Sequence, residues 1–203
     1  MHKLLLTLVL SLGSLTDSNA ENILDAENAI KNGAPLAAYQ HLAPHPLYPY
    51  LQARAYRDDP ATPVETIVAF LKQYPADPFS TQLAKQKFPQ WLTSGNNDAI
   101  IAAYSAGYAD AGIECDYRLA QLNKNHTRAA TQKLDELWEQ DKNLDAECNT
   151  LFDRLAHSGH ISETQTAARF RQAMEQNNRL IASYLAGALH GTAAQAAQTW
   201  LDI

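Results

Sequence analysis

The residues of this chain best suited to contacting a ligand are tyrosines gathered in one short stretch. Tyr48, Tyr50 and Tyr56 lie close together, with Tyr39 shortly before them. Sugar rings stack on aromatic faces, and tyrosine combines an apolar ring with a polar hydroxyl. The alternative is packing, because positions 47, 50, 51 and 54 share one helical face. The segment therefore predicts either a glycan or partner contact or part of a helix–helix core.

Other residue types with catalytic or metal-binding chemistry do not form a recognisable site. His157 and His160 are spaced for one helical face, but Gly159 between them predicts a helix end. Solvated histidines at a helix end are the simpler interpretation. Sequence motifs for a nucleophile elbow, a phosphate-binding glycine loop and a zinc-binding His-Glu-x-x-His helix are all lacking. We therefore predict no catalytic residue, no metal and no cofactor.

The first twenty residues have the pattern of a secretory signal. Lys3 lies at a charged start, positions 4–15 are mostly apolar, and small residues precede a cleavage point after Ala20. A membrane anchor would need about 20 uninterrupted apolar residues, which the segment does not supply. The sequence predicts an exported, periplasmic chain that does not span the membrane, with a signal at 1–20 and one domain at 21–203.

The charge balance excludes one class of partner. The formal net charge is −6, and removing the signal leaves it unchanged, because the signal carries one basic and one acidic residue. An acidic chain without a basic run has no general attraction to nucleic acid. No nucleic-acid partner is expected.

Helical periodicity and capping signals recur along the chain. Positions 64, 67, 68 and 71 form one apolar stripe. Before this stripe, Thr62, Pro63 and Glu65 match a helix start with a capping box. Ser162 and Gln165 match a second capping box.

The pattern predicts an all-α chain of short helices joined by short links, without a convincing strand. Many short antiparallel helices indicate an irregular superhelix of stacked helical hairpins, a tetratricopeptide-like solenoid. The expected helices are 22–32, 34–43, 46–57, 63–74, 79–93, 97–107, 114–123, 128–140, 146–157, 162–176, 179–189 and 192–201.

The two cysteines, Cys115 and Cys148, are expected to form a disulfide. An even number in an exported chain favours a bond over free thiols. Their wide spacing lacks the paired ligands of a zinc site. Each is expected to open a helix of a successive hairpin, which would bring their Cα atoms within bonding range. Two buried free thiols are the alternative.

Several segments resemble the N-terminal α-superhelical region of soluble lytic murein transglycosylases. The resemblance extends from about Ala37 to about Gly187. Its main points are the block from His45 to Leu51, the segment Cys115-Asp116-Tyr117, and the helix that carries Leu134, Leu137 and Trp138. It implies an all-α superhelix with a scaffolding role in peptidoglycan turnover, and peptidoglycan or cell-wall proteins as partners.

The resemblance also implies where the family's chemistry lies. Those enzymes cleave glycan strands to anhydro-muropeptides with a Glu followed by Ser, upstream of a Gly-Leu-Met-Gln stretch, in a C-terminal lysozyme-like domain. Neither motif occurs here. The chain is therefore expected to be non-catalytic. The competing hypothesis is a tetratricopeptide-like adaptor that binds a protein partner.

The C-terminal helix is expected to leave apolar surface uncovered. A solenoid needs a polar cap where stacking stops. The segment that contains Leu189, Trp200, Leu201 and Ile203 carries little charge. We expect an exposed patch and self-association through this helix, unless Trp200 folds back onto the preceding hairpin.

Overall fold

The computed structural model describes residues 18–140 and 146–203, and every regular element within them is helical. The prediction of an all-α chain is confirmed. Most of the predicted export signal, residues 1–17, lies outside the described residues, as does segment 141–145. Within the described ranges, no helix is long and apolar enough to cross a bilayer.

The α-helices are short and follow one another through short connections. They are α1 Ser18–Lys31, α2 Tyr48–Asp58, α3 Val64–Gln73, α4 Pro78–Thr93, α5 Asn97–Ala103, α6 Ala111–Asn123, α7 Thr127–Thr131, α8 Leu134–Gln140, α9 Ala146–His157, α10 Glu163–Glu175, α11 Arg179–Ala186 and α12 Gly191–Leu201. A 3-10 helix, Leu36–Leu42, lies between α1 and α2.

The chain divides into two compact units, residues 1–58 and 59–203. In the first unit, α1 packs against α2, and the 3-10 helix contacts both. Ile23, Ala26 and Ile30 form one apolar stripe on α1 and meet Leu42 and Leu51 in a small core.

In the second unit, the helices pack as hairpins and as neighbours two or three elements apart. Helix α3 packs on α5, α4 packs on α5 and α6, and α6 also contacts α7 and α9. Farther along, α10 packs on α11, and α12 contacts both of these helices. One apolar core joins α6, α8, α9, α10, α11 and α12.

The predicted disulfide is present in this core. Cys115 and Cys148 are bonded, with their Cα atoms 5.1 Å apart, and both are fully buried. The bond joins α6 to α9, which pack against each other. The expectation that Cys115 opens its helix is wrong, because α6 begins at Ala111 and Asp110 caps it by accepting a hydrogen bond from the Ile113 amide.

The predicted helix over 128–140 is interrupted. It forms as α7 and α8, with Lys133 at φ 52° between them. The Arg118 guanidinium donates hydrogen bonds to the carbonyl oxygens of Ala130, at 2.8 Å, and Gln132, at 2.7 Å. A continuous α-helix would use both carbonyls as internal acceptors. The buried arginine therefore replaces helical hydrogen bonds at the break.

The two predicted capping boxes have different outcomes. Ser162 and Gln165 form the complete box at the start of α10. At α3 the prediction is wrong, because Pro63 occupies the cap position and makes no side-chain cap. The hydroxyl of Thr62 instead donates to Asp59, at 3.2 Å.

The C-terminal hairpin covers part of the surface that was expected to be open. Leu189 is buried, so its predicted exposure is wrong. The Trp200 ring meets Phe170 of α10 edge-on with ring centres 5.9 Å apart, although Trp200 stays 38% exposed. Leu180 and Ile203 are 85% and 88% exposed. The C-terminal hairpin therefore keeps two exposed apolar side chains, whereas Trp200 folds back onto α10.

Candidate functional site

Charged side chains of both signs line a cleft beside α6 in the described second unit. The cleft has a volume of about 550 Å³, which is within the usual range for a small-ligand site. Its lining comes from the end of α5, the connection to α6, the first half of α6, and the start of α8. The lining residues are Tyr104, Ala106, Ala109, Asp110, Ala111, Glu114, Arg118, Lys133, Glu136 and Leu137.

The connection from α5 to α6 is held in place by the turn before α4. The Ser105 hydroxyl donates to the Pro75 carbonyl, at 2.8 Å. Gly107 lies so close to the same carbonyl that an added Cβ would stand 2.5 Å from its oxygen. Only glycine permits this approach. Gly107 does not line the cleft itself, but its close contact with Pro75 positions the α5–α6 connection that does.

A buried ion pair forms the floor of the cleft. The Arg118 Nε donates to Glu114 Oε1 at 2.7 Å, and the Arg118 side chain is only 9% exposed. Glu114 also accepts a hydrogen bond from the Tyr104 hydroxyl. Together with the two bonds to the α7–α8 connection, these contacts hold Arg118 in one orientation.

Tyr104 is fixed from both its ring and its hydroxyl. Its ring stacks on Tyr117, with centroids 3.9 Å apart and an interplanar angle of 15°. Burial, followed by the hydrogen bond to Glu114, raises the pKa of the Tyr104 phenol above its ordinary value. The phenol is therefore a neutral donor, with one ring face covered by another ring.

The rim of the cleft carries exposed charges of both signs. Lys133 and Glu136 pair across one turn at 3.3 Å, with side chains 67% and 60% exposed. Asp110 pairs with Lys85 at 2.5 Å. Exposed pairs of this kind contribute little to stability, so their charges remain available to a ligand. The cleft thus combines fixed donors at its floor with more exposed charges at its rim.

The predicted tyrosine site lies in the first unit, on and near α2. Tyr48 and Tyr50 are half-buried and pack against the small core of that unit. The Tyr50 hydroxyl donates to Glu27, and this bond, followed by burial, raises the pKa of Tyr50. Tyr39 also packs on this core. These contacts agree with the packing interpretation of the stretch.

Tyr56 lies farther along α2 and is also half-buried. Its hydroxyl accepts a hydrogen bond from the Gln52 side chain, at 3.4 Å. A ring contact to a glycan or partner remains a proposal for all three tyrosines.

The two histidines considered as metal ligands are not brought into a ligand set. The ring of His157 lies 2.6 Å from the Asp153 carbonyl oxygen, and both His157 and His160 are exposed. Over residues 18–140 and 146–203, no group of three or more His, Cys, Asp or Glu side chains has metal-binding geometry.

Sequence reasoning missed the cleft beside α6. Arg118 and Glu114 are spaced i and i+4 on one helix face, which is a readable signal for an ion pair. Their partners Tyr104, Ala130 and Gln132 come from other elements. The spacing on α6 alone could therefore predict the pair but not the cleft around it.

Comparison with known proteins gives a consistent set of relatives. The chain is 30% identical over 150 residues to the soluble lytic murein transglycosylase of Escherichia coli K12, a match that covers 72% of this chain and 23% of that protein. The same-named protein of Salmonella typhimurium LT2 is 29% identical over an equal span. No family model matches the chain.

The solved structures that match carry the same fold. The 70-kDa soluble lytic transglycosylase in complex with bulgecin A aligns with a TM-score of 0.72 at 23% identity, over 92% of this chain and 31% of that one. The crystal structure of the 70-kDa soluble lytic transglycosylase from Escherichia coli at 1.65 Å resolution gives the same values. The helical superhelix predicted from the sequence is thereby confirmed, and the chain spans about a quarter of the length of its curated relatives.

Proposed function

We propose, on the premise that this chain is a homologue of the soluble lytic murein transglycosylases, that it is a periplasmic helical scaffold in murein turnover without glycan-cleaving chemistry of its own. The observation that carries the proposal is the sequence match over 150 residues of an all-α chain. The predicted export signal over residues 1–20 supports the periplasmic location.

The described residues support a non-catalytic role. A lytic transglycosylase needs a carboxylic acid that protonates the glycosidic oxygen and then acts as a base. Glu114 is the carboxyl group at the floor of the cleft, and its two oxygens face Arg118 and the Tyr104 hydroxyl. Both oxygens act as hydrogen-bond acceptors there, an arrangement that holds the α5, α6 and α7 segments together rather than presenting a proton to a ligand.

The test of the scaffold proposal is co-sedimentation of the purified chain with isolated murein sacculi. We expect binding to sacculi and no release of anhydro-muropeptides from them. Release of anhydro-muropeptides by the chain alone would show that it carries a catalytic site. A chain that stays in the supernatant would rule out direct murein association.

The glycan contact of the tyrosine stretch is tested in the same assay. Tyr56→Ala removes a half-buried ring of the predicted tyrosine site, so we expect weaker sedimentation with sacculi and unchanged helicity. Tyr39→Ala is the matched control, because it removes a ring that packs on the core. Equal sedimentation of wild type and Tyr56→Ala would assign these rings to packing alone.

A protein-binding adaptor is the second candidate, favoured by the stacked hairpins of the second unit. Pull-down from periplasmic extract separates the two proposals. Retention of one periplasmic protein, together with no binding to sacculi, favours the adaptor.

A further inference from the structure

The cleft beside α6 contains a buried cation with unused hydrogen-bonding capacity. Arg118 makes one bond through Nε and two through Nη1. Its Nη2 makes no hydrogen bond to the described residues and is not one of the fully buried atoms. A guanidinium carries five N–H groups, so the two on Nη2 are left for a ligand in the cleft, which Arg118 lines.

The charges around these donors are of both signs. Lys133 adds a second cation at the rim, and Glu136 adds an anion beside it. Asp110 adds a second anion, which already pairs with Lys85. A ligand that carried only negative charge would meet repulsion from the carboxylates, and a purely cationic ligand would meet Arg118 and Lys133. The lining therefore selects a ligand that carries both a positive and a negative group.

We propose that this cleft binds a short peptide with a free carboxylate and a free amine, its carboxylate on Arg118 Nη2 and Lys133 Nζ and its amine at Glu136. The proposal rests on the murein-scaffold function, because the stem peptides of murein carry groups of both kinds. It names a peptide subsite that is separate from any contact of the tyrosine stretch with glycan.

The shape of the lining favours a peptide over a sugar. Sugar recognition uses an open aromatic face, but the Tyr104 ring is half-buried and stacked on Tyr117. The apolar part of the lining is instead three alanines and Leu137, which suit small aliphatic side chains. A guanidinium held by three hydrogen bonds binds a carboxylate without further ordering, which favours affinity.

The experiment is an amide chemical-shift titration of the full chain with the tripeptide L-Ala-γ-D-Glu-meso-diaminopimelate. We expect saturable shifts at residues 114, 118 and 133–137. The same tripeptide with its carboxylates converted to amides should produce no saturable shift. Lys133→Ala should weaken binding roughly fivefold, the size expected for one charge-assisted contact near the surface.

Lys124→Ala is the matched control. Lys124 is a surface lysine that pairs with Asp98 at 2.9 Å outside the cleft, so its loss should leave tripeptide affinity unchanged. Glu136→Gln is the second variant, expected to weaken binding of the free tripeptide by removing the partner of the amine. Both cleft variants change exposed side chains, so the fold is retained.

The outcomes separate this inference from the scaffold function. Binding of the amidated peptide as tightly as the free one, or equal affinities for wild type and Lys133→Ala, overturns the peptide site. Sedimentation with sacculi that persists alongside such a result leaves the scaffold function standing. Saturable, Lys133-dependent tripeptide binding without sedimentation supports the peptide site and counts against the scaffold function.

Discussion

At the scale of single residues, the fold holds three tyrosines in their neutral form. Burial is the first cause that raises the pKa of Tyr104, Tyr108 and Tyr184 above the ordinary value of 10.0. Tyr104 and Tyr184 also donate hydrogen bonds to the carboxylates of Glu114 and Asp153. Each phenol therefore keeps its proton at a pH where an unfolded chain would lose it.

These tyrosines predict a loss of stability in alkali. The unfolded phenols titrate near pH 10.0 and the folded ones above it, so their contribution is complete below pH 10. It declines as the pH rises through the folded pKa. The free energy of unfolding, measured by urea denaturation from pH 8 to pH 11, should fall above pH 10. Tyr104→Phe should be less stable at pH 8 but show a shallower decline.

The matched measurement is the tyrosinate absorbance at 295 nm. Part of the tyrosines of the folded chain should ionise at a higher pH than those of the same chain in urea. Coincident titration curves for the folded and unfolded chains would contradict the assigned burial of these phenols.

At the scale of the helices, the capping box of α10 is a local stabiliser that can be isolated. The Ser162 hydroxyl accepts a hydrogen bond from the Gln165 backbone N–H at 3.2 Å, and the Ser162 backbone N–H donates to the Gln165 side-chain oxygen at 2.9 Å. Ser162→Ala should lower the free energy of unfolding by about 1 kcal/mol. Urea denaturation measures this change.

Thr62→Ala is the control for the cap. Thr62 has the same sequence context but does not cap α3, so its replacement should change stability by no more than about 0.5 kcal/mol. Equal losses for the two variants would mean that the cap geometry does not determine the effect.

The disulfide between α6 and α9 is a second element-scale stabiliser. It closes a loop with a sequence separation of 33 residues, for which the chain-entropy description gives up to about 4 kcal/mol. Reduction should lower the melting temperature measured by circular dichroism and leave most of the helical signal in place, because the apolar core of these helices remains.

Thiol counting supplies the accompanying check. Mass spectrometry after alkylation without reductant should find both cysteines unmodified in protein from an oxidising compartment. Two alkylated thiols would contradict the bond. An unchanged melting temperature after full reduction would show that packing alone holds α6 to α9.

At the scale of the whole molecule, the C-terminal hairpin is where we expect self-association. Leu180 and Ile203 are almost fully exposed, whereas Trp200 is partly covered by Phe170. Leu180→Glu should reduce association in sedimentation equilibrium without loss of stability. Trp200→Glu should be less stable, because it also breaks the contact with Phe170. A wild type that stays monomeric at high concentration would show that this hairpin caps itself.

The sequence by itself determined the helical character of the chain and several of the positions where helices begin and end. Apolar periodicity and the Ser162–Gln165 box are local signals, and the structure realises them at α10. The pairing of Cys115 with Cys148 was also readable, because an even number of cysteines in a chain with an export signal favours a bond, and the structure forms it between α6 and α9. Such features depend on residues a few positions apart or on the cysteine count.

Tertiary structure alone decided the helix break at Lys133 and the cleft beside it. The Arg118 guanidinium donates to carbonyl oxygens 12 and 14 residues away. The free energy gained by hydrogen-bonding a buried cation exceeds the free energy lost by interrupting one helix. Local propensity cannot predict the break at Lys133, because the competing donor, Arg118, comes from a different helix. The start of α3 was misread for a local reason, since Thr62 bonds to Asp59, three residues before it, instead of capping the helix.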